Sequence, residues 1–129
     1  VKDPEAIIRQ IRDKGVKAGV TIKPATPVSA IRGLLKDVDM ALVMTVNPGF
    51  SYQEMIPECV EKVSELRAIV GEDFDIQVDG GINKDTIATV ARAGANVVVA
   101  GGGVFAQPDI AAATRALRER LAAEYRTRR

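Results

Sequence analysis

The sequence of 129 residues contains no histidine and no tryptophan, and it has a single cysteine, Cys59. One cysteine excludes an internal disulfide and fits a reducing compartment such as the cytoplasm. Lysine and arginine together number 18 against 17 aspartates and glutamates, which leaves a net charge of +1. So balanced a charge predicts neither a nucleic-acid partner nor a membrane partner.

Long apolar runs are also missing, because no stretch approaches the roughly 18 residues that a membrane span needs. No signal peptide is visible at the start. The chain opens on Val1 and enters a helical pattern at once, which predicts a fragment of a longer protein or a trimmed chain.

Hydrophobic residues make up 47% of the chain. We therefore expect residues 1–129 to form one domain with its own core.

The apolar pattern predicts one helix followed by four strand–helix units. The strand segments are apolar with little alternation, and helix-length segments separate them, which is typical of a parallel sheet in the α/β class. A sheet of four such strands has two unpaired edges, so we expect helices on both faces or a partner. The predicted helices are residues 4–14, 26–36, 54–70, 83–93 and 108–125, and the predicted strands are 16–22, 41–46, 74–78 and 96–100.

The segments that follow the strands carry the candidate site, since parallel α/β folds bind ligands at the carboxyl ends of their strands. Glycines occur after three of the four strands, and bare backbone N–H groups there suit a phosphate. Each glycine turn taken singly is better explained as a tight turn, whereas the three together favour a phosphate site. The four segments read KPAT (23–26), NPGFS (47–51), DGG (79–81) and GGG (101–103).

Four side chains near these segments have both a chemical and a structural interpretation. Asp79 is placed as a catalytic base or metal ligand, or as an N-cap. Lys23 could form a Schiff base or pair with a phosphate, although a solvated lysine is the simpler interpretation. Cys59 and Met44 lie among apolar residues, which predicts packing roles.

Three segments in this order resemble the ribulose-phosphate 3-epimerase family: VDMALVMTVNPGF (38–50), QVDGGIN (77–83) and AGANVVVAGGGVF (93–105). The segment KAGVTIKPATP (17–27) fits the same family, so that the resemblance covers essentially the whole chain. It implies half of a (β/α)8 barrel, namely the second half, in which a helix precedes four βα units. The family interconverts ribulose 5-phosphate and xylulose 5-phosphate, in the pentose phosphate pathway, by moving the proton at C3.

The resemblance also implies roles for individual residues. In the family two aspartates act as acid and base around a divalent metal, commonly zinc or iron, and two histidines complete the metal site. Asp79 matches the later aspartate, which is both metal ligand and acid/base. The other matching residues contact the substrate or its phosphate: Met44 beside the sugar, Gly49, Phe50, Ser51 and Tyr52 in the mobile loop, Gly80 and Gly81 in the next turn, and Gly101 and Gly102 in the last turn.

The sequence departs from the family pattern at two of these positions. Tyr52 stands where the family usually has glycine, and Gly102 stands where it usually has serine, which weakens the expected phosphate site. The groups of the first half, including both histidines and the other aspartate, have no match here. The resemblance therefore implies an incomplete metal site at Asp79, no stably bound metal, and no full activity of the chain alone.

Several alternatives remain open at this point. Two copies could pair their edge strands into a closed ring as a homodimer that retains sugar-phosphate epimerase activity, or a complementary half-barrel could complete the barrel. The chain could instead be a phosphate-binding or structural, self-associating module. A monomer with a rearranged, doubly wound sheet is the last alternative.

Overall fold

Four parallel strands and five α-helices make up the part of the chain that the computed structural model describes, residues 1–50 and 52–128. Ser51 and Arg129 lie outside the described residues. Within this part no helix is long and apolar enough to cross a membrane. The strands are β1 (Gly19–Ile22), β2 (Met40–Met44), β3 (Asp75–Asp79) and β4 (Val97–Val99), and the helices are α1 (Pro4–Asp13), α2 (Pro57–Val70), α3 (Ile87–Ala93), α4 (Gly102–Phe105) and α5 (Ile110–Thr127).

The strands lie side by side in chain order, β1-β2-β3-β4, and every pairing is parallel. A sheet that adds each strand on the same side winds in one direction, as the sheet of a (β/α)8 barrel does, whereas a doubly wound sheet reverses. The α/β class and the half-barrel architecture are therefore confirmed. The doubly wound alternative is wrong.

Within residues 1–50 and 52–128, helices cover one face of the sheet. The buried residues alternate along β2 and β3, and Ile22, Val43 and Val78 stand in register at no more than 1% exposure. They pack against the helices in one apolar cluster with Val63 and Leu66 of α2. Of the two alternatives expected, helices on both faces is wrong for the described residues, and a partner stays a prediction. The second face, which includes Leu42, stays outside this cluster because no described helix lies over it.

The predicted second helix is the main correction to the secondary structure. Residues 26–36 contain two short 3-10 helices, Val28–Ala30 and Arg32–Asp37, instead of one α-helix. The backbone bonds run three residues back, from Ile31 N–H to Val28 O and from Leu34 N–H to Ile31 O. Gly33 in the middle of this segment lowers its helix propensity, which helps explain the tighter, interrupted winding.

Capping chemistry explains most of the other boundaries. Asp3 accepts a hydrogen bond from Ala6 N–H at 3.0 Å and begins α1 as predicted. Helix α2 begins at Pro57 rather than at residue 54, because proline favours the first helical position. Helix α3 begins at Ile87, since the residues before it form a turn. The four-residue α4 was not predicted, because its glycines conceal any helical pattern.

The buried Arg67 of α2 ties the starts of β3 and β4 together. Its guanidinium donates to the carbonyl oxygens of Gly94 at 2.8 Å, Gly71 at 2.6 Å and Phe74 at 2.7 Å. Burial lowers the pKa of Arg67 from its ordinary value. A Cβ added to Gly94 would lie 2.8 Å from Arg67 Cβ, so this glycine gives the side chain its room.

We expect Arg67→Leu to lower the free energy of unfolding by about 2–5 kcal/mol, because buried carbonyl groups would lose their donors. Urea denaturation followed by circular dichroism measures this loss. The matched control is Arg9→Leu on the exposed side of α1, which should change stability by no more than about 0.5 kcal/mol. Equal effects of the two substitutions would contradict a stabilising role for Arg67.

Candidate functional site

Asp79 ends β3 on the face of the sheet that the helices leave uncovered. It stands in register with Met44 of β2 and Val99 of β4, so the three side chains leave the sheet on the same face. Val78 points the other way and is fully buried under the helices. The alternation of the strand therefore presents the carboxylate to the open face, where it is only partly buried.

A cleft of about 980 Å³ lies at the carboxyl ends of β2, β3 and β4. The structure brings together around it all the described residues that match the family's site residues, while Ser51 lies outside the described residues. Lys23 is not among the residues that line the cleft, and its backbone carbonyl accepts from Lys62 at 3.0 Å. The predicted residues that line the cleft are Met44, Gly49, Phe50, Tyr52, Asp79, Gly80, Gly81, Gly101 and Gly102.

The turn after Asp79 packs closely against the segment that follows β2. Gly80 has φ of 130°, and a Cβ there would lie 2.6 Å from Val46 Cγ2 and 2.8 Å from Val46 N. Gly81 has φ of 71°, and a Cβ there would lie 2.5 Å from Met55 N. Both positions therefore require glycine for their backbone angles and for the close approach of the two segments.

Thr45 stabilises this contact, although in the sequence it looks like part of an apolar strand and gives no sign of a role at the site. Its side chain is fully buried, and its backbone N–H donates to Asp79 O at 2.9 Å. Its hydroxyl lies 2.5 Å from Gly80 O and 3.1 Å from Asp79 O. One hydroxyl proton serves one acceptor at a time, and the shorter distance favours the carbonyl of Gly80.

A second polar group holds the far side of the same turn. Asn83 Oδ1 accepts from the backbone N–H groups of Asp85 at 2.8 Å and Thr86 at 3.1 Å. The Thr86 hydroxyl donates to Gly81 O at 2.7 Å. Asn83 stands at the start of the helix predicted over 83–93, and it caps the turn that leads into α3 instead. Thr86 could have been found from the Asn-x-x-Thr spacing, which is typical of reciprocal capping.

The loop after β2 reaches over the cleft and is tied to itself by Gln53. The Gln53 amide donates to Asn47 O at 2.7 Å and to Phe50 O at 3.1 Å. Tyr52 has φ of 65°, a conformation that costs a non-glycine residue roughly 1–2 kcal/mol. Its ring lies against the last turn, since a Cβ added to Gly102 would be 2.6 Å from Tyr52 Cε1.

The charge of the cleft is acidic. Glu54, Asp79 and Asp85 line it, whereas no lysine or arginine lines it among the residues that the structure describes. The Asp79 carboxylate accepts no hydrogen bond from a described protein group, which rules out its interpretation as an N-cap in this part of the chain.

Cys59 is buried in α2 as predicted, and burial raises the pKa of its thiol.

These residues do not fit a complete metal site. No group of three or more histidines, cysteines, aspartates or glutamates is arranged to hold a metal ion within the described ranges. Divalent zinc in proteins takes three or four protein ligands, and the sequence has no histidine to offer. Asp79 alone could contribute one carboxylate ligand.

Comparison with known proteins gives the same family that the sequence motifs suggest. The model of the "Ribulose-phosphate 3 epimerase family" matches residues 1–105. The ribulose-phosphate 3-epimerase of Candida glabrata is 48% identical over 108 residues, which are 84% of this chain and 44% of the relative. That of Methanocaldococcus jannaschii is 44% identical over 122 residues, covering 92% and 52% respectively. The chain thus spans about half the length of the curated relatives it matches.

Solved structures share the fold. A chain of the BexX/CysO complex of Amycolatopsis orientalis superimposes with a TM-score of 0.72 at 19% identity, covering 95% of this chain and 48% of that one. The 3-hexulose-6-phosphate synthase of Salmonella typhimurium superimposes with a TM-score of 0.67 at 22% identity, covering 94% and 56%. At such identities the likeness shows the fold alone.

We expect Gly81→Ala to destabilise the protein by about 2–4 kcal/mol, because the new Cβ meets the backbone of Met55 at a positive φ. The control is Gly33→Ala, since a Cβ there would meet no atom within 4 Å. It should change stability by less than about 1 kcal/mol. Denaturant titration of both variants tests the difference, and a tolerated Gly81→Ala would contradict the close approach.

Proposed function

Because the chain belongs to the ribulose-phosphate 3-epimerase family, we propose that it supplies one half of an epimerase barrel. In this proposal Asp79 is one of the two acid/base groups that move the proton at C3 of ribulose 5-phosphate. The glycine turns bind the phosphate, and the other half of the site comes from outside these 129 residues. The observation that carries the proposal is the position of Asp79, partly buried and unpartnered by described groups, between the glycine turns of one cleft.

The geometry supports a division of the chemistry between two halves. Inversion at C3 needs an acid and a base on opposite faces of the carbon, each within hydrogen-bond reach. Asp79 leaves the sheet beside Met44 and Val99, which are apolar, so its neighbours in register cannot transfer a proton. A second proton-transfer group would have to approach from the uncovered side of the cleft. The chain by itself is therefore proposed to lack full activity.

The other predicted residues are proposed to bind the substrate. Backbone N–H groups of the turns at Gly80–Gly81 and Gly101–Gly102 would face the phosphate, and Met44 would contact the sugar. Gly49, Phe50, Ser51 and Tyr52 belong to the loop over the phosphate. A divalent metal, zinc or iron, would need ligands from the other half, because the described residues do not form a metal site.

The test follows proton exchange at C3. Ribulose 5-phosphate is incubated in D2O with the chain alone, and with the chain mixed with a complementary half-barrel taken from a relative, and deuterium at C3 is measured by NMR. We expect no exchange by the chain alone and exchange by the mixture. Asp79→Asn should slow exchange by the mixture by about 10²–10⁴-fold, because it removes an acid/base group.

The controls separate the possible outcomes. Gly33 does not line the cleft, so the mixture that contains Gly33→Ala should exchange at the wild-type rate. Robust exchange by the chain alone that disappears in Asp79→Asn would overturn the need for a second half and favour a homodimer that retains epimerase activity. Exchange by the mixture that survives Asp79→Asn would overturn the acid/base role.

We also propose that residues 1–129 form one domain whose open face and free edges are completed by a second half-barrel. In the absence of a complementary half-barrel, a second copy of the chain would cover the open face and pair with the free edges. Within the described residues β1 and β4 each pair on one side only, and Val99 is 40% exposed. The apolar residues of the open face are Met40, Leu42, Met44, Val97 and Val99.

We expect the chain alone to sediment as a dimer at micromolar concentration, because pairing of the edges would bury the apolar residues of the open face. Leu42→Lys should shift it to monomer while the circular dichroism spectrum is kept, since Leu42 lies outside the helix-covered cluster. Ser64→Lys on the exposed side of α2 is the matched control and should leave the dimer intact. A monomeric wild-type chain would contradict self-association.

A phosphate-binding module without chemistry is the second candidate function. The glycine turns around the cleft favour it, whereas the acidic lining opposes tight binding of an anion. Saturable binding of ribulose 5-phosphate without exchange in any mixture would select this candidate.

A further inference from the structure

Tyr52 reaches across the candidate site and contacts the last glycine turn. A Cβ placed on Gly102 would lie 2.6 Å from Tyr52 Cε1, 2.8 Å from Cδ1 and 3.7 Å from Cζ. Contacts below 3 Å do not occur between real atoms of this kind, so the edge of the ring occupies the space that any side chain at residue 102 would need. The tyrosine and the glycine are therefore sterically coupled.

The order of the strands fixes what lies beneath this contact. Tyr52 follows β2 and Gly102 follows β4, while β3 runs between these strands. The contact must consequently span the carboxyl end of β3, where Asp79, Gly80 and Gly81 line the same cleft. Tyr52 as a whole residue is 80% exposed. Tyr52 thus bridges the turn after β3 instead of packing into the core.

We propose that Tyr52 and Gly102 act as one binding unit, in which the phenol hydroxyl of Tyr52 donates a hydrogen bond to a phosphate held by the glycine turns. The inference rests on the proposed function, and it names the side chain that determines how this chain binds the phosphate group. Cζ, the carbon that carries the hydroxyl, would lie 3.7 Å from a Cβ on Gly102, and Tyr52 is exposed, so its hydroxyl is accessible to a ligand.

Charge makes such a donor important in this cleft. Three acidic side chains line it and no described lysine or arginine does, so an incoming phosphate finds only neutral donors. A phenol is a neutral donor that carries an apolar ring, and the ring edge suits contact with the bare Cα of Gly102. The positive φ of Tyr52 directs the side chain over the cleft at a conformational cost, which the Gly102 contact helps to offset.

The experiment is an NMR titration of the wild-type chain and its variants with inorganic phosphate, then with ribulose 5-phosphate, followed at the amides of Gly102 and Gly103. We expect Tyr52→Phe, which keeps the ring, to weaken phosphate binding by about fivefold to tenfold through loss of one hydrogen bond. Gly102→Ala should weaken binding similarly, because the new Cβ displaces the ring. In the Tyr52→Phe background Gly102→Ala should have an effect of less than about twofold, since both changes remove the same hydrogen bond.

A readout without ligand tests the contact itself. The α-protons of Gly102 should show a ring-current shift in the wild type and in Tyr52→Phe, and this shift should disappear in Tyr52→Ala. The control Gly33→Ala should bind phosphate as the wild type does. Absence of the ring-current shift would overturn the contact.

The remaining outcomes separate this inference from the proposed function. Equal phosphate binding by wild type and Tyr52→Phe would overturn the role of the hydroxyl, even if exchange at C3 still depends on Asp79. Strictly additive effects of Tyr52→Phe and Gly102→Ala would overturn the single binding unit. No phosphate binding by the wild type would overturn the inference together with the phosphate turns, whereas the acid/base role of Asp79 is decided by the exchange experiment.

Discussion

The close approach of the Gly80–Gly81 turn to the segment that leaves β2 is the constraint on which the site depends. The turn lies so near Val46 and Met55 that neither glycine has room for a side chain. The buried hydroxyl of Thr45 bonds the carbonyl of Gly80 across the gap. This contact sets where the chain turns after Asp79, so the direction of the carboxylate follows from packing in the adjacent strand, without any bond to the carboxylate itself.

The helices cover one face of the sheet and leave the other open. This decides which side chains are accessible for chemistry. The helices bury the side chains of Ile22, Val43 and Val78, and the same alternation sends Asp79 to the opposite face. In a closed barrel that face becomes the packed interior, which positions and desolvates a catalytic group. In the described chain the face has apolar residues beside a carboxylate. Under the proposed function, closure by a second half-barrel would bury these apolar residues and enclose the carboxylate in the same step.

The sequence predicted the parts of this structure that depend on local patterns. Apolar strands, the start of α1 and the glycine turns were placed correctly, because neighbouring residues determine them. The sequence could not indicate that residues 26–36 wind as two 3-10 helices, since that depends on packing around Gly33. Thr45 escaped notice because its partner lies 35 residues away, and a hydroxyl within an apolar strand has no local signature.

The acidic lining of the cleft opposes the binding of a phosphate. A phosphate ester near Asp79 would meet like charge, and two such charges about 4 Å apart repel by about 4 kcal/mol at an effective dielectric constant near 20. Backbone N–H groups offset part of this repulsion but carry only partial charges. Since Glu54 and Asp85 add further negative charge, cations that favour the phosphate must come from beyond the described lining. Under the proposed function the same cations would also stabilise the negative charge that develops when the C3 proton leaves, so one contribution from a second half would serve both binding and chemistry.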